Sequence, residues 1–188
     1  MKLHNPLAIR RQLIALAAAE GEGTGVPPAT ALSQAPTRQT RRGLERILTS
    51  GKSAESRRMA AWALGFLADD HATAALVTAL NDRTEDTEVR VYAAEALGHL
   101  QPEKGHDEAL AALLHALTDR EPQVRFWAAF ALGNLGDERA VPALQRLAER
   151  DSTVVPGWRS IQREALESIE QIRVSTGRRE GVAGVEQP

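Results

Sequence analysis

The most informative pattern along the chain is a run of apolar and small residues interrupted by a glycine at a constant place. Three stretches share it: SRRMAAWALGFL, VRVYAAEALGHL and VRFWAAFALGNLGD. Aligning them pairs Gly65, Gly98 and Gly133, at spacings of 33 and 35 residues. Apolar positions three and four apart predict a helix in each copy, and a period near 34 predicts a repeat architecture.

A fourth, divergent copy, WRSIQREALESI, begins at Trp158 and follows at a spacing of 34 residues. It keeps Arg159, Ala165 and Leu166 at the shared positions but carries Glu167 in place of the glycine. Terminal repeats commonly depart from the pattern of the inner ones.

More polar segments with leucines three and four apart lie before each copy: RRGLERILTSG, ATAALVTALND, DEALAALLHALTD and ERAVPALQRLAERD. They predict a first helix for each unit, so that four helix pairs occupy residues 37–68, 71–100, 106–136 and 138–174. Acidic residues in ADDHA, KGHDEA and GDERA favour helix starts, where free backbone N–H groups attract negative charge. DDH at 69–71 and HDE at 106–108 are therefore interpreted as helix starts, and this interpretation is favoured over a metal site.

The flanking segments differ in composition from the repeats. Residues 1–20 predict an N-terminal helix, and residues 21–36, rich in glycine, proline and small polar residues, predict a flexible loop. Residues 175–188 are expected to form a disordered tail.

The motif VRxxAAxALGxLG resembles the HEAT repeat, in the short bacterial subclass called phycobilisome-lyase HEAT-like repeats, over roughly residues 37–174. This resemblance implies an all-α fold, a right-handed α-solenoid of about four hairpins whose second helices line the concave side. It also implies an arginine ladder at the starts of the second helices, bonded to backbone and acidic groups of the preceding turn. The ladder comprises Arg57, Arg90, Arg125 and Arg159, with Asp82, Asp119 and Asp151 as candidate partners.

Positions with the same residue type in every copy are predicted to form the core. They are Ala63, Ala96, Ala131 and Ala165; Leu64, Leu97, Leu132 and Leu166; and Leu67, Leu100, Leu135 and Ile169. Variable positions at offsets of three and four share another helical face. We call them the second-helix stripe: Met59, Trp62 and Phe66; Tyr92, Glu95 and His99; Trp127, Phe130 and Asn134; Ile161, Glu164 and Ser168.

Five of the seven aromatic residues of the chain lie on the second-helix stripe, and the remaining two, Phe126 and Trp158, are assigned to packing. An aromatic ridge on a concave face predicts binding of a protein or peptide partner. In the alternative interpretation these side chains fill gaps between repeats, and the loop at residues 21–36 covers them. The stripe residues other than Ser168 are the candidate partner-binding residues.

Charge is distributed unevenly. Residues 1–58 hold ten Lys and Arg against four Asp and Glu, while the net charge of the whole chain is −2. The basic segment leaves nucleic-acid binding through Arg38, Arg41, Arg42 and Arg46 as an alternative. The chain has no cysteine, and its N-terminus offers no signal peptide or membrane span, so a cytoplasmic protein is expected.

Catalytic motifs such as HExxH, GxSxG or a P-loop do not occur in the sequence, so a non-enzymatic protein without cofactor or metal is expected. The His-Glu iron ligands of deoxyhypusine hydroxylases have no counterparts at the matching positions, which are Arg58-Met59, Val91-Tyr92, Phe126-Trp127 and Ser160-Ile161. Alkylated-base DNA glycosylases match only superficially, through Trp62, Trp127 and Glu95. A phycobilin-lyase or tetrapyrrole chaperone remains an alternative on the resemblance of the repeat alone.

His99 and Glu95, four residues apart, are interpreted as a polar pair on the binding face.

Overall fold

The computed structural model describes residues 38–67, 70–100 and 105–183. The helices within these ranges are α1 Arg38–Ser50, α2 Ala54–Leu67, α3 Thr73–Asn81, α4 Thr87–His99, α5 His106–Ala116, α6 Pro122–Leu135, α7 Val141–Arg150 and α8 Ile161–Ala183. Short 3-10 turns, Asp70–Ala72 and Glu138–Ala140, lead into α3 and α7. The predicted helix at residues 1–20 and the predicted loop at residues 21–36 lie outside the described residues.

The helices form consecutive antiparallel pairs, α1 with α2, α3 with α4, α5 with α6 and α7 with α8. Each second helix packs along the next one, α2 on α4, α4 on α6 and α6 on α8, and each also packs on the first helix of its own pair. Every pair therefore buries one face against its neighbour, which is how an α-solenoid builds a continuous core. The prediction of an all-α solenoid is confirmed.

The shared alanines and leucines of the second helices lie in this core, except that Leu67 is partly buried against it and Leu166 lies outside it. Among the leucines, Leu64, Leu97 and Leu132 are each fully buried. Their predicted counterpart Leu166 is 55% exposed, which corrects its assignment to the core. No following repeat lies beyond α8 within the described residues, so this face of the last helix is left in contact with solvent.

The glycines that recur in the repeats lie where neighbouring second helices are in close contact. A Cβ added at Gly65 would lie 2.6 Å from the Cα of Ala96, and one added at Gly98 would lie 2.6 Å from the Cα of Ala131. Both distances are too short for a real Cβ, so the absence of a side chain permits the contact. Close packing offsets the helix-propensity cost of glycine, which is about 1 kcal/mol relative to alanine.

The last pair departs from the predicted alignment. Gly133 contacts Ser168, with an added Cβ 2.9 Å from its Cβ. In the preceding junction the contacted residue, Ala131, lies two positions before the next glycine. The structural counterpart of Gly133 is therefore Glu170, and the prediction of Glu167, three residues earlier, is wrong. The extra residues lie between α7 and α8, in a loop spanning 151–160 that replaces the five-residue turns 82–86 and 117–121.

The arginine ladder forms, but its acidic partners come from the following repeat. Arg90, with a side chain 2% exposed, pairs with Asp119, and Arg125 pairs with Asp151 at 2.7 Å. Backbone bonds run to the preceding turn, as the 2.8 Å bond from Arg125 Nη1 to the carbonyl oxygen of Asp119 shows. Arg90 and Arg125 thus each connect two adjacent pairs of helices.

Two details of the predicted ladder are wrong. Arg57 pairs with Glu85 at 2.7 Å, while Asp82 accepts hydrogen bonds from the backbone N–H and hydroxyl of Thr84 and so shapes its own turn. Arg159 precedes α8 and pairs with Glu164 and Glu167 instead of with an acid of a turn.

In α8 the position of the ladder arginine is taken by Gln162, whose Nε2 donates to the carbonyl oxygen of Ala148 at 2.9 Å. The three-residue shift explains this exchange, since it places Gln162 at the level of Arg125. The helix itself continues to Ala183, past the start of the tail that was predicted for residues 175–188.

Candidate interaction surface

The second-helix stripe occupies one side of the stacked second helices, but its members differ in accessibility. Met59, Trp62, Tyr92, Glu95, Phe130 and Asn134 are partly buried, and His99 is exposed. The side chain of Phe66 lies outside the described residues. Several of the partly buried aromatics pack one edge against the core while the other edge meets solvent. Such residues contribute both to packing and to an accessible surface.

Three predicted binding residues are buried. Trp127 is 7% exposed, Glu164 is 4% exposed and Ile161 is fully buried. Ile161 cannot contact a partner, because the shifted alignment of α8 places it at the level of Val124, a core position. This corrects its assignment to the binding face. Ser168 is also buried, where it faces Gly133.

Sequence comparison missed the true counterpart of Asn134 in the last repeat. The shifted alignment assigns that place to Gln171, whose Nε2 donates to Asn134 Oδ1 at 2.9 Å. Neighbouring second helices are therefore connected along this row of the surface by a side-chain hydrogen bond. The signal available in the sequence was the loop insertion, which moves every later position by three.

Four aromatic side chains, which we call the aromatic cluster, surround the middle of this surface: Phe126, Trp127, Phe130 and Trp158. The Trp127 ring lies 5.8 Å from Phe126, 5.3 Å from Phe130 and 5.0 Å from Trp158, each time close to edge-to-face. Edge-to-face pairs at these separations are the preferred aromatic geometry. His99 extends the contact, with its ring 6.5 Å from that of Phe130.

Trp158 is a candidate binding residue that the sequence pattern did not single out. It was predicted to lie on a second helix and to serve packing alone, but it lies in the loop before α8 and is 37% exposed. Pro156 and Gly157 directly precede it, and Gly157 has φ +79°, a conformation that suits glycine. That dipeptide was the available sign of a turn. Phe126, at 1% exposed, is a packing residue as predicted.

A small open groove, with a cavity volume of about 90 Å³, runs along the edge of the aromatic cluster. One wall comes from α4, the other from α6 and the loop before α8. The lining residues are Glu88, Val91, Tyr92, Glu95, Gln123, Trp127, Val155 and Trp158. A concave, mainly apolar surface with a few polar groups at its edge is the usual form of a binding site.

The polar groups around Tyr92 are mostly acidic. Burial raises the pKa of Tyr92, Arg58 opposes that rise, and Glu95, Glu88 and Glu55 add to it. Arg58 lies over the Tyr92 ring, 5.6 Å from its centre, and pairs with Glu55 and Glu88. One cation therefore faces three carboxylates here.

The predicted His99 and Glu95 pair is loose. Their closest nitrogen and oxygen lie 3.9 Å apart, beyond hydrogen-bond distance, and half of the His99 side chain is exposed. The Glu95 side chain is 18% exposed, so both side chains have some contact with solvent.

Glu164, in α8, carries a buried carboxyl group. Burial raises its pKa, and Arg159, 3.3 Å away, partly opposes the rise. Because it is buried beside Arg159, Glu164 is better described as part of the packing of the last repeat than as a direct contact for a partner.

The first-helix acids connect repeats instead of acting alone as caps. His106 bonds Asp137 at 2.8 Å, and Arg139 contacts both Asp137 and Asp107 at 2.7 Å. Hydrogen bonds from the Arg139 side chain hold the pKa of Asp137 far below its usual range, against the opposing effect of burial. Among the described residues no three His, Cys, Asp or Glu side chains converge as metal ligands would. A membrane-spanning helix is likewise not found in the part of the chain that the structure describes.

Two family comparisons match the repeat region. HEAT repeats match residues 82–170, and the PBS lyase HEAT-like repeat matches residues 56–82. Among curated proteins, none matches the chain.

Solved structures share the fold. A chain from the complex of CpcE and CpcF of phycocyanin lyase from Nostoc sp. PCC7120 is 20% identical, with a TM-score of 0.60, and the match covers 86% of this chain and 98% of that one. An engineered protein solved by the Northeast Structural Genomics Consortium is 23% identical, with a TM-score of 0.56, covering 91% of this chain and 75% of that one. At such identities the likeness concerns the fold alone. Together with the stacked helix pairs and their recurring glycine contacts, these matches identify the chain as a HEAT-repeat protein of the PBS lyase type.

Proposed function

We propose that this chain is a non-enzymatic interaction scaffold that binds a protein or peptide partner on the surface formed by the second-helix stripe and Trp158. The groove beside the aromatic cluster is the centre of the binding surface. Tyr92, Glu95, His99 and Phe130 supply accessible contacts around it, while Trp127 forms its floor.

The observation that carries this proposal is the exposure of Trp158 beside a buried tryptophan. Trp158 keeps 37% of its surface in contact with solvent while its ring packs nearly edge-to-face on Trp127 at 5.0 Å, and Trp127 is 7% exposed. A large aromatic side chain supported from below and open above is the usual form of a binding hot spot. HEAT arrays commonly use such surfaces to hold other proteins, which supports the scaffold interpretation.

The test uses peptides selected from a random display library on the full chain, with dissociation constants measured by calorimetry. Trp158→Ala should weaken binding of the selected peptides by at least about tenfold, in the range expected of a hot spot. Trp158 is preferred to Trp127 as the variant, because truncating a buried tryptophan costs about 3–5 kcal/mol of stability and would confuse the result.

Leu166→Ala is the matched control. Leu166 is an apolar residue of the last repeat, is 55% exposed and does not line the groove. We expect its removal to leave the dissociation constants unchanged. Selection of no peptides, or equal loss with both variants, contradicts the proposal.

A second candidate function is nucleic-acid binding through α1. Arg38, Arg42 and Arg46 are exposed and recur every four residues, so they share one face of the helix. A salt-titrated mobility-shift assay tests it, because phosphate contacts weaken steeply as salt rises. Binding that is lost in an Arg38→Gln, Arg42→Gln variant would favour this candidate over the scaffold proposal.

The tetrapyrrole alternative rests on the shared fold with a chain of the CpcE and CpcF complex. Mixing the protein with free bilin tests it directly. A change in visible absorbance that persists in Trp158→Ala would favour this alternative and place the ligand away from the proposed surface.

A further inference from the structure

The groove has a chemical asymmetry that narrows what can occupy it. Its lining includes three aromatic side chains, Tyr92, Trp127 and Trp158, and two carboxylates, Glu88 and Glu95. No lysine, arginine or histidine belongs to the lining among the described residues. The rim is therefore acidic while the walls are aromatic.

The two carboxylates differ in how far they are compensated. Glu88 pairs with Arg58, which also pairs with Glu55. Glu95 has its nearest basic group, His99 Nε2, at 3.9 Å, and its side chain is only 18% exposed. Glu95 is thus a poorly compensated negative charge held close to the aromatic walls.

One of the protein's own arginine side chains is held between an aromatic ring and a carboxylate next to this groove. The Arg58 guanidinium lies 5.6 Å from the centre of the Tyr92 ring while it pairs with Glu88. An arginine stacked on an aromatic ring and paired with a carboxylate satisfies both the planar face and the charge of the guanidinium. The groove offers the same combination next to it, with Trp158 and Trp127 as rings and Glu95 as the acid.

We propose that the groove binds an arginine side chain of a basic partner peptide, with the guanidinium against Trp158 and its charge facing Glu95. This inference rests on the proposed scaffold function and deepens it, since it names the chemistry of the partner. The charge complementarity of the acidic rim is what distinguishes an arginine from an apolar anchor, which the aromatic walls alone would accept equally well.

The direct test is an NMR titration of the full chain with N-acetyl-arginine amide, and with N-acetyl-citrulline amide as the neutral isostere. The three tryptophan indole N–H signals are assigned with Trp62→Phe and Trp158→Phe variants. Arginine amide should shift the Trp158 and Trp127 signals in a saturable way, while Trp62, which does not line the groove, is the internal reference.

Citrulline amide should bind at least about fivefold more weakly, because it keeps the shape of arginine but lacks its charge. Glu95→Gln should weaken arginine binding by a similar factor, and added salt should do the same in the wild type. Glu88→Gln should have a smaller effect, since Arg58 already pairs with Glu88. Far-UV circular dichroism checks that each variant remains folded.

Several results would overturn the inference. Equal shifts with citrulline amide, no saturable shift at Trp158, or an unchanged affinity in Glu95→Gln would each do so. The N-terminal segment, outside the described residues, carries two adjacent arginines, Arg10 and Arg11. An arginine-amide affinity that rises when both are changed to glutamine would assign the groove to the chain itself and not to a partner. Library peptides that require Trp158 but tolerate citrulline would leave the scaffold function standing while the arginine inference fails.

Discussion

The junction between α4 and α6 and the junction between α6 and α8 perform the same structural task with different residues. In the inner junction Gly98 approaches Ala131, and buried Arg90 reaches Asp119 in the following turn. In the outer junction α8 is shifted by three residues, about one helical turn. Gly133 there faces Ser168, Arg125 still pairs with Asp151 in the following turn, and Gln162 takes the ladder position of α8 itself.

This difference shows which features of a repeat its neighbours require. In both junctions a small residue lies opposite the glycine, and Arg90, Arg125 and Gln162 each donate to a backbone carbonyl at or just beyond the end of the first helix of their own pair. The donor of the last helix carries no charge, since the neutral amide of Gln162 bonds a backbone carbonyl without needing an acid from a next repeat. An arginine is needed only where another turn follows to supply its carboxylate.

The largest expected effect comes from removing the acid of the inner ladder. Asp119→Asn leaves Arg90, 2% exposed, as an uncompensated buried charge, and should lower the free energy of unfolding by about 3–5 kcal/mol. The same change at Asp151, whose partner Arg125 is 16% exposed, should cost about 1–2 kcal/mol. Urea unfolding of both variants at neutral pH measures the comparison, and equal losses would contradict it.

The effect of Asp119 also has a predictable pH dependence. Burial works against its ionisation, but hydrogen bonds from the Glu121 backbone N–H and from Arg90 prevail and hold its pKa below the usual range. A carboxyl group with a lowered folded-state pKa contributes stability above its unfolded pKa of about 4, and loses it as the pH falls through the folded value. The difference between wild type and Asp119→Asn should therefore shrink below about pH 4.

The next effect concerns the close approach of the helices. Gly98→Ala should destabilise the protein by about 1–3 kcal/mol, because its Cβ would lie 2.6 Å from the Cα of Ala131. Gly177→Ala, in the exposed part of α8 with nothing within 4 Å, is the matched control and should stabilise by up to about 1 kcal/mol. Thermal unfolding followed by circular dichroism compares them. A gain with both variants would show that the approach at Gly98 is not restrictive.

The smallest effect tests the neutral donor of the last helix pair. Gln162→Ala should lower stability by about 1 kcal/mol, the usual net contribution of one hydrogen bond. Arg163→Ala changes the adjacent residue, whose side chain is 72% exposed and pairs with Glu167, and should shift stability by less than about 0.5 kcal/mol. If the two variants behave alike, Gln162 is not the counterpart of the ladder arginine.

The helix pairs were predictable because their signals are local and repeated. The period, the glycines and the leucines recur in every inner copy, so one interpretation fits three stretches at once. The fourth copy was misaligned by three residues because Ala165 and Leu166 match the pattern by residue type at the wrong position. The contact between Gly133 and Ser168, together with the hydrogen bonds of Gln162 and Gln171, reveals the shift.

The candidate surface was predictable in part. Tyr92, Glu95, His99 and Phe130 lie on it as helical spacing predicted, since spacing along a helix fixes direction. The depth of Trp127 and the exposure of Trp158 were not predictable. Both depend on where the loop before α8 runs, and loop paths follow from contacts between distant segments.

The sequence by itself determined that this chain is a stack of helix pairs with glycines at the seams, because periodic apolar positions and small residues act through their immediate neighbours. Tertiary structure alone decided the three-residue shift of the last helix, the partners of the ladder arginines and the groove beside Trp158. Each of these depends on the positions of residues from different repeats relative to one another, and an insertion in one loop changes them without altering the helical pattern.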